Sequence, residues 1–303
     1  MPSEPPPWLR VLPEVASALA SGRPVVALES TVITHGLPEP VNLELARRLE
    51  GEVRTAGAVP ATVAVIDGRV CLGVTTDELE RLALSRRLLK ISRRDFGAAL
   101  ASRATGGTTV AATMIAAHAG GIRVFATGGI GGVHRGDPSD VSADLPELAR
   151  TPVVVVCAGA KAILDLPRTL EWLESAGVPV IGWGTDDFPA FFSRTSGLPV
   201  SARVENAGEA AALIRAHWAM GLHSGVLVCV PCPEEHAVPA ESVESVLRQA
   251  LRQAEAQGVR GKDVTPFLLA RLAELTGGET LRANLALLRN NARVAAELAR
   301  TFA

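Results

Sequence analysis

Nearly unbroken apolar, β-branched runs recur along the chain at 24–28 (PVVAL), 61–66 (ATVAVI), 123–127 (RVFAT), 152–158 (PVVVVCA), 178–183 (VPVIGW) and 225–230 (GVLVCV). Short runs of this kind predict strands buried on both faces. Between them, apolar residues return at helical spacing over 41–56, 108–119, 161–176 and 206–220. The alternation predicts an α/β fold with a largely parallel sheet covered on both sides by helices. One local hairpin is expected at VIDGRV, because Asp67-Gly68 suits a tight turn that needs positive φ. Beyond residue 238 only helical patterns remain, at about 239–257, 262–276 and 279–301, with Gly277-Gly278 as a break. No proline- or serine-rich linker precedes them, so they are expected to form a helical layer closing over the sheet. The proline-rich residues 1–9 read as a loose arm.

Composition narrows the class of function. Hydrophobic residues make up 48% of the 303 positions and charged ones 20%, which supplies a large core and excludes intrinsic disorder. A net charge of -2 with no basic stripe, and no tyrosine at all, argue against nucleic acid as a partner. The opening MPSEPPPWLR lacks the charged and apolar regions of a signal peptide, and no stretch holds the roughly 18 uninterrupted apolar residues of a spanning helix. The expectation is a soluble cytoplasmic protein with no membrane partner. Cys71, Cys157, Cys229 and Cys232 lie in apolar surroundings and are expected as reduced, buried thiols; CVPC lacks the second pair or histidines that a zinc site needs.

Ligands of open α/β sheets gather beyond the carboxyl ends of the strands, and here those positions are polar. Glu29 and His35 follow the first run in ESTVITHG. Glu29 is a candidate general acid or base, with a capping carboxylate as the bland alternative; His35 is a candidate proton carrier or a structural histidine. Lys161 ends VVVVCAGAK at the start of the expected 161–176 helix, where a cation opposes the helix dipole. Two readings stay open for it: a lysine snorkelling over apolar surface, or a nucleophile, since burial disfavours an ammonium and a neutral amine attacks carbonyl carbon. GGTTVAATM places Thr108 and Thr109 at a helix start, suited either to an anion or to simple capping. Lys90 in KISRRD could hold a phosphate or sit solvated on the surface. Asp140 and Asp144 in DVSAD offer oxygen ligands for Mg²⁺ or Mn²⁺, with helix capping as the equal alternative.

Together, ALESTVITHGLPEP, KISRRDF, GGTTVAATM, FATGGIGGVHRG, DVSADLPELA, CAGAKAILDLPRTLE, TPFLLARLAELTGG and NLALLRNNARVAAELA resemble the pseudouridine-5'-phosphate glycosidase family, in the family's order from about residue 14 to the end. The resemblance implies a single α/β/α domain over 1–303, a three-layer sandwich, assembled as a homotrimer and using Mn²⁺ or another divalent metal. It implies reversible cleavage of pseudouridine 5'-phosphate to uracil and ribose 5-phosphate. On matching positions, Lys161 would be the covalent nucleophile that forms an imine with the sugar and Glu29 the proton donor. Asp140 would hold the metal directly or through waters. Ser142, Ala143, Asp144, Lys90, Thr108, Thr109, Val110 and Asn284 would line the substrate site. Phe96 and Phe192 stand where leucine and tyrosine are more usual in the family, and neither removes a group that the chemistry needs. Two further readings are a lysine-dependent aldolase on another sugar phosphate and a non-catalytic sensor of a sugar or nucleotide phosphate.

Overall fold

The apolar runs become the strands of one large sheet. The computed structural model describes residues 6–85, 87–259, 261 and 264–303. In chain order its strands are β1 (Leu9–Val11), β2 (Val25–Leu28), β3 (Val59–Ile66), β4 (Arg69–Leu72), β5 (Leu89–Ile91), β6 (Gly106–Thr108), β7 (Val124–Ala126), β8 (Val133–His134), β9 (Val154–Cys157), β10 (Leu164–Asp165), β11 (Val180–Trp183), β12 (Ala202–Val204) and β13 (Val226–Cys229). The helices are α1 (Pro13–Ala20), α2 (Val41–Thr55), α3 (Thr76–Leu84), α4 (Phe96–Ala101), α5 (Val110–Ala119), α6 (Asp144–Leu148), α7 (Leu166–Ser175), α8 (Ala207–Ala219), α9 (Ala240–Ala256), α10 (Val264–Leu275) and α11 (Glu279–Ala299).

The main path of the sheet runs β1-β4-β3-β2-β7-β9-β13-β11-β12, with β6 on β3 and β5 on β6. From β3 to β12 every neighbouring pair is parallel. All residues of β2, β3, β7, β9 and β13 are buried, the signature of strands covered on both faces. On one side α11 lies against β2, β7 and β9 and touches α2 and α8, whereas α5 packs on β2, β3, β4 and β7. Helix α5 is almost wholly buried, which explains its apolar circumference. The expected helical layer over the sheet is thus supplied by α11, and α9 pairs with α10 beside it.

Two features of this topology place the site. From β2 the chain crosses to β3 on one side, while β7 leads to β9 on the other, so the boundary between β2 and β7 is a switch point, the place where open α/β sheets bind their ligands. Moreover β2 pairs with only the first half of β3, up to Leu28↔Thr62. Beyond Leu28 the chain peels away, and β6 takes its place antiparallel to β3 at Ala64↔Gly107.

The expected hairpin is present, with Asp67 and Gly68 at φ 49° and 75° joining antiparallel β3 and β4. Three expectations shift. The helix predicted over 161–176 begins at Leu166, because Pro167 has no N–H and belongs in a first turn; Asp165 caps it by accepting from Arg168 N at 3.1 Å. The helix predicted from 108 begins at Val110, since Gly106–Thr108 pairs as β6 and Thr109 becomes the N-cap. The arm expected over 1–9 gives way at Leu9, a buried residue that pairs with Val70; residues 1–5 lie outside the described residues. Strands β1, β5 and β12 and helices α1, α3, α4 and α6 were not marked by the hydrophobic pattern, most being too short to show a period. Among the described residues no helix is long and apolar enough to cross a membrane.

Candidate active site

Register builds the site. Parallel pairing sets Leu28 against Ala126 and Ala126 against Val156. The next residues, Glu29, Thr127 and Cys157, therefore fall in one row across the carboxyl ends of β2, β7 and β9. Glu29 is buried, and both of its carboxylate oxygens are occupied: Thr31 Oγ1 donates to Oε2 and Thr127 Oγ1 donates to Oε1. Thr127 is fixed in turn by its own N–H, which donates to Val156 O at 3.0 Å, and by Asn291 of α11, whose Nδ2 donates to Thr127 O at 2.9 Å. The Asn291 Oδ1 is buried with no partner among the described residues, so the amide is kept for its donor despite a cost. Glu29 is thus more than a capping carboxylate.

The ladder between the chains continues past the strands. Ala158 N donates to Gly128 O at 2.8 Å, Ile130 N to Gly159 O at 3.1 Å and Lys161 N to Ile130 O at 3.1 Å. This extension, not a helix start, carries Lys161 outward from β9. Gly159 permits it, with φ at 83° and a Cβ that would meet Pro189 O at 2.2 Å. Lys161 is half-buried, and its ammonium has no hydrogen-bond or ion-pair partner among the described residues. The amine is thus left without a carboxylate, one loop from the clamped glutamate.

The segment with Lys90 comes to the other flank of Glu29. Lys90 lies half-buried on β5 opposite Gly107 of β6. Ser30 Oγ donates to Val63 O at 2.6 Å and accepts from Thr108 N at 2.9 Å, which ties β6 to the loop after β2. Thr108 is completely buried, and its hydroxyl donates to Val63 O at 2.7 Å, making it a strut beneath the site. At the start of α5, Thr109 Oγ1 accepts from Ala112 N at 3.4 Å, and Asp144 Oδ1 accepts from Ala111 N at 2.9 Å. The anion attracted by this helix start is therefore partly the protein's own. Asp144 Oδ2 accepts from Gly131 N at 2.8 Å, so one buried carboxylate joins α5 to the loop after β7.

Ser142 and Ala143 lie beside Asp144, Ser142 N donating to Gly132 O at 3.0 Å. Asp140 is exposed, with no side-chain partner among the described residues, and its carbonyl accepts from His134 N at 2.9 Å. Among the described residues no three His, Cys, Asp or Glu side chains gather as a metal cluster. Asn284, on α11 seven positions before Asn291 and so on the same face, is 9% exposed with its amide unpartnered among the described residues. His35 sits in the one-turn π-helix Val32–Gly36 after Glu29, its Nδ1 2.7 Å from Thr34 Oγ1. All four cysteines are buried and free, in line with the reading of CVPC as packing. Phe192 is buried edge-to-face on Phe191 with ring centres 4.6 Å apart, where no hydroxyl is called for.

Sequence reasoning missed Thr31, Thr127 and Asn291. All three lay inside quoted motifs, Thr31 and Thr127 next to strand ends; the partner of Asn291 is a backbone carbonyl on a distant loop, which no local pattern points to.

The carboxyl ends of β2, β7 and β9, at the switch point of a parallel α/β sheet, bring together a clamped carboxyl and, one loop further on, a lysine without a partner among the described residues, the setting of an α/β enzyme. The chain belongs to the family of indigoidine synthase A like proteins, which it matches over residues 14–301. It is 57% identical over 293 residues to the pseudouridine-5'-phosphate glycosidase of Solibacter usitatus, covering 96% of this chain and 98% of that protein. It is 59% identical over 297 residues to the protein of that name from Chloroflexus aurantiacus, covering 96% and 97%. These similarities bear out the family resemblance carried by the motifs. Among solved structures, the prealnumycin C-glycosynthase in complex with ribulose 5-phosphate superposes with a TM-score of 0.91 at 43% identity, covering 98% of each chain. An indigoidine synthase A-like protein from Thermotoga maritima gives 0.87 at 39% identity, covering 92% of this chain and 93% of that one.

Proposed function

We propose that the protein is a pseudouridine-5'-phosphate glycosidase that interconverts pseudouridine 5'-phosphate and water with uracil and ribose 5-phosphate. The observation that carries this reading is the row across β2, β7 and β9, which sets Glu29 between two hydroxyls beside the ladder that delivers Lys161. A base joined to ribose through carbon is a poor leaving group, so departure as in an ordinary N-glycoside is unfavourable and a covalent amine supplies another route. The C1'–O4' bond of the ribose ring breaks, O4' keeping the electron pair and taking up a proton, and the neutral Lys161 Nζ adds at C1' with loss of a proton. The nitrogen lone pair then forms the C=N bond as the C1'–C5 bond breaks. Its electron pair stays with uracil C5, which takes a proton from Glu29. Water hydrolyses the imine and returns the free amine. The carboxylate left on Glu29 is met by the Thr31 and Thr127 hydroxyls, which favours giving up the proton.

Lys90 is assigned the substrate phosphate, with Thr109, Val110, Ser142, Ala143 and Asn284 lining the site and Thr108 and Asp144 supporting it from behind. A divalent cation, Mn²⁺ by preference, is assigned to Asp140, whose exposed carboxylate is uncommitted among the described residues. A hard cation held by one carboxylate with waters completing its shell fits such a site. When bound it would neutralise charge on the substrate. The assembly is taken to be a homotrimer, working in the reducing cytoplasm that free thiols suit.

The test is incubation with uracil, ribose 5-phosphate and Mn²⁺, following formation of the C-glycoside, together with borohydride trapping and peptide mapping. The wild type should form product and carry the reduced adduct on Lys161. Lys161→Ala should lose the adduct and turnover by at least about three orders of magnitude, with its melting temperature little changed. No product from the wild type, or undiminished product from the variant, would overturn the reading.

A further inference from the structure

The turn that bears Lys161 is held from outside by a residue to which neither the motifs nor the chemistry above gives a part. Arg135 follows β8, the short strand that pairs antiparallel with β10 at His134↔Leu164. Its guanidinium serves three partners. Nε donates to Leu164 O at 3.1 Å and Nη2 to Ala162 O at 3.3 Å, while Nη1 donates to both carboxylate oxygens of Glu244 on α9, at 2.9 and 2.8 Å. The two carbonyls belong to the turn closed by Leu164 N on Lys161 O at 3.0 Å. Lys161 is therefore fixed on its N-terminal side by Ile130 O and on its C-terminal side by Arg135.

Both members of the Arg135–Glu244 pair are partly exposed, at 30% and 42% of their side chains, so the pair contributes little to stability. Its effect is geometric: an arginine fork has donors in fixed directions, and a carboxylate on one edge aims the other edge at the two carbonyls. We propose that Arg135 is a positioning residue for the Lys161 amine, and that Glu244 makes α9 part of the active site by aiming it. Helix α9 then has a catalytic consequence without touching substrate. The inference rests on Lys161 being the nucleophile.

The experiment measures the single-turnover rate constant for borohydride trapping with ribose 5-phosphate, and separately its final amplitude, in the full-length enzyme. In Arg135→Ala the rate constant should fall roughly tenfold to a hundredfold, the penalty for a reacting group displaced by about 1 Å. The amplitude should stay near one adduct per chain and the KM for ribose 5-phosphate within about twofold. Arg135→Lys should fall nearly as far, because an ammonium lacks the fork. The charge-swapped pair R135E/E244R guards against a folding defect: it keeps an ion pair to α9 and the melting temperature, but a glutamate at 135 donates to no carbonyl, so trapping should stay slow. A wild-type rate constant in Arg135→Ala, or its recovery in the swapped pair, would overturn the inference while leaving Lys161 as the nucleophile. A loss of amplitude and melting temperature together at an unchanged rate constant would make Arg135 structural only. A wild type with no adduct would remove both this inference and the glycosidase reading.

Discussion

At the scale of residues, the site depends on who shares a hydrogen bond with whom. Glu29 has a hydroxyl on each oxygen, from Thr31 two residues on and from Thr127 on the neighbouring strand end. A hydrogen bond to a charged group contributes about 1.5–3 kcal/mol, so Thr127→Val should lower turnover of pseudouridine 5'-phosphate by roughly one to two orders of magnitude. Trapping of ribose 5-phosphate on Lys161 needs no proton on uracil, so it should keep its wild-type rate in the same variant. If trapping falls in step with turnover, Thr127 serves the fold of the loop and not the proton donor. Cys232 supplies a second test at this scale. Burial pushes its thiol up to about 11, and burial also raises Cys71 and Cys229. The native protein should therefore give no fast reaction with a disulfide reagent at pH 8, whereas unfolding should release four thiols. A rapid native reaction would show CVPC to be accessible and reopen it to redox or metal chemistry.

Between elements, the packing of α2 on β3 includes a polar contact with a pH signature. Glu50 of α2 accepts from Thr62 Oγ1 of β3 at 2.6 Å. Burial raises its pKa and outweighs the lowering by Thr62 and Arg54. A carboxyl whose folded pKa lies above its unfolded value binds more protons in the native state, so stability falls as pH rises from the ordinary value near 4.3 through the folded one. Glu50→Gln keeps a partner for Thr62 and removes the charge. It should raise the melting temperature by a few degrees at pH 7, and the gain should vanish by pH 4, as thermal melts at the two values will show. An equal gain at both values would mean that the effect is packing, not ionisation.

The same scale shows why element boundaries were only partly legible. Pro167 ruled out a helix starting at 161, since its missing N–H belongs in a first turn, but apolar periodicity extends back through Ala160 and hides the turn. Gly106–Thr108 has too little side chain to read as a strand. It is one because β2 leaves β3 half-paired and the exposed ladder takes up whatever chain comes alongside. Strand length and pairing at that point are set by a neighbour distant in sequence.

For the molecule as a whole, the chain order of apolar runs carried the class of fold, because a strand buried on both faces can hardly be written any other way. Glu29 and Lys161 stood out for the same reason, as ionisable groups ending such runs, where desolvation makes their presence costly without a use. Family likeness added the substrate class and the roles proposed for them. The Thr127 side of the clamp on Glu29, the anchoring of Thr127 by Asn291, the commitment of Asp144 to two backbone N–H groups and the hold of Arg135 on the Lys161 turn were decided by tertiary structure alone. Hydrophobic burial depends on residue type and local period, and these the sequence displays directly. A hydrogen bond depends on direction and on a partner within about 3 Å, and for each of these contacts that partner is supplied by an element brought near only when the sheet is assembled.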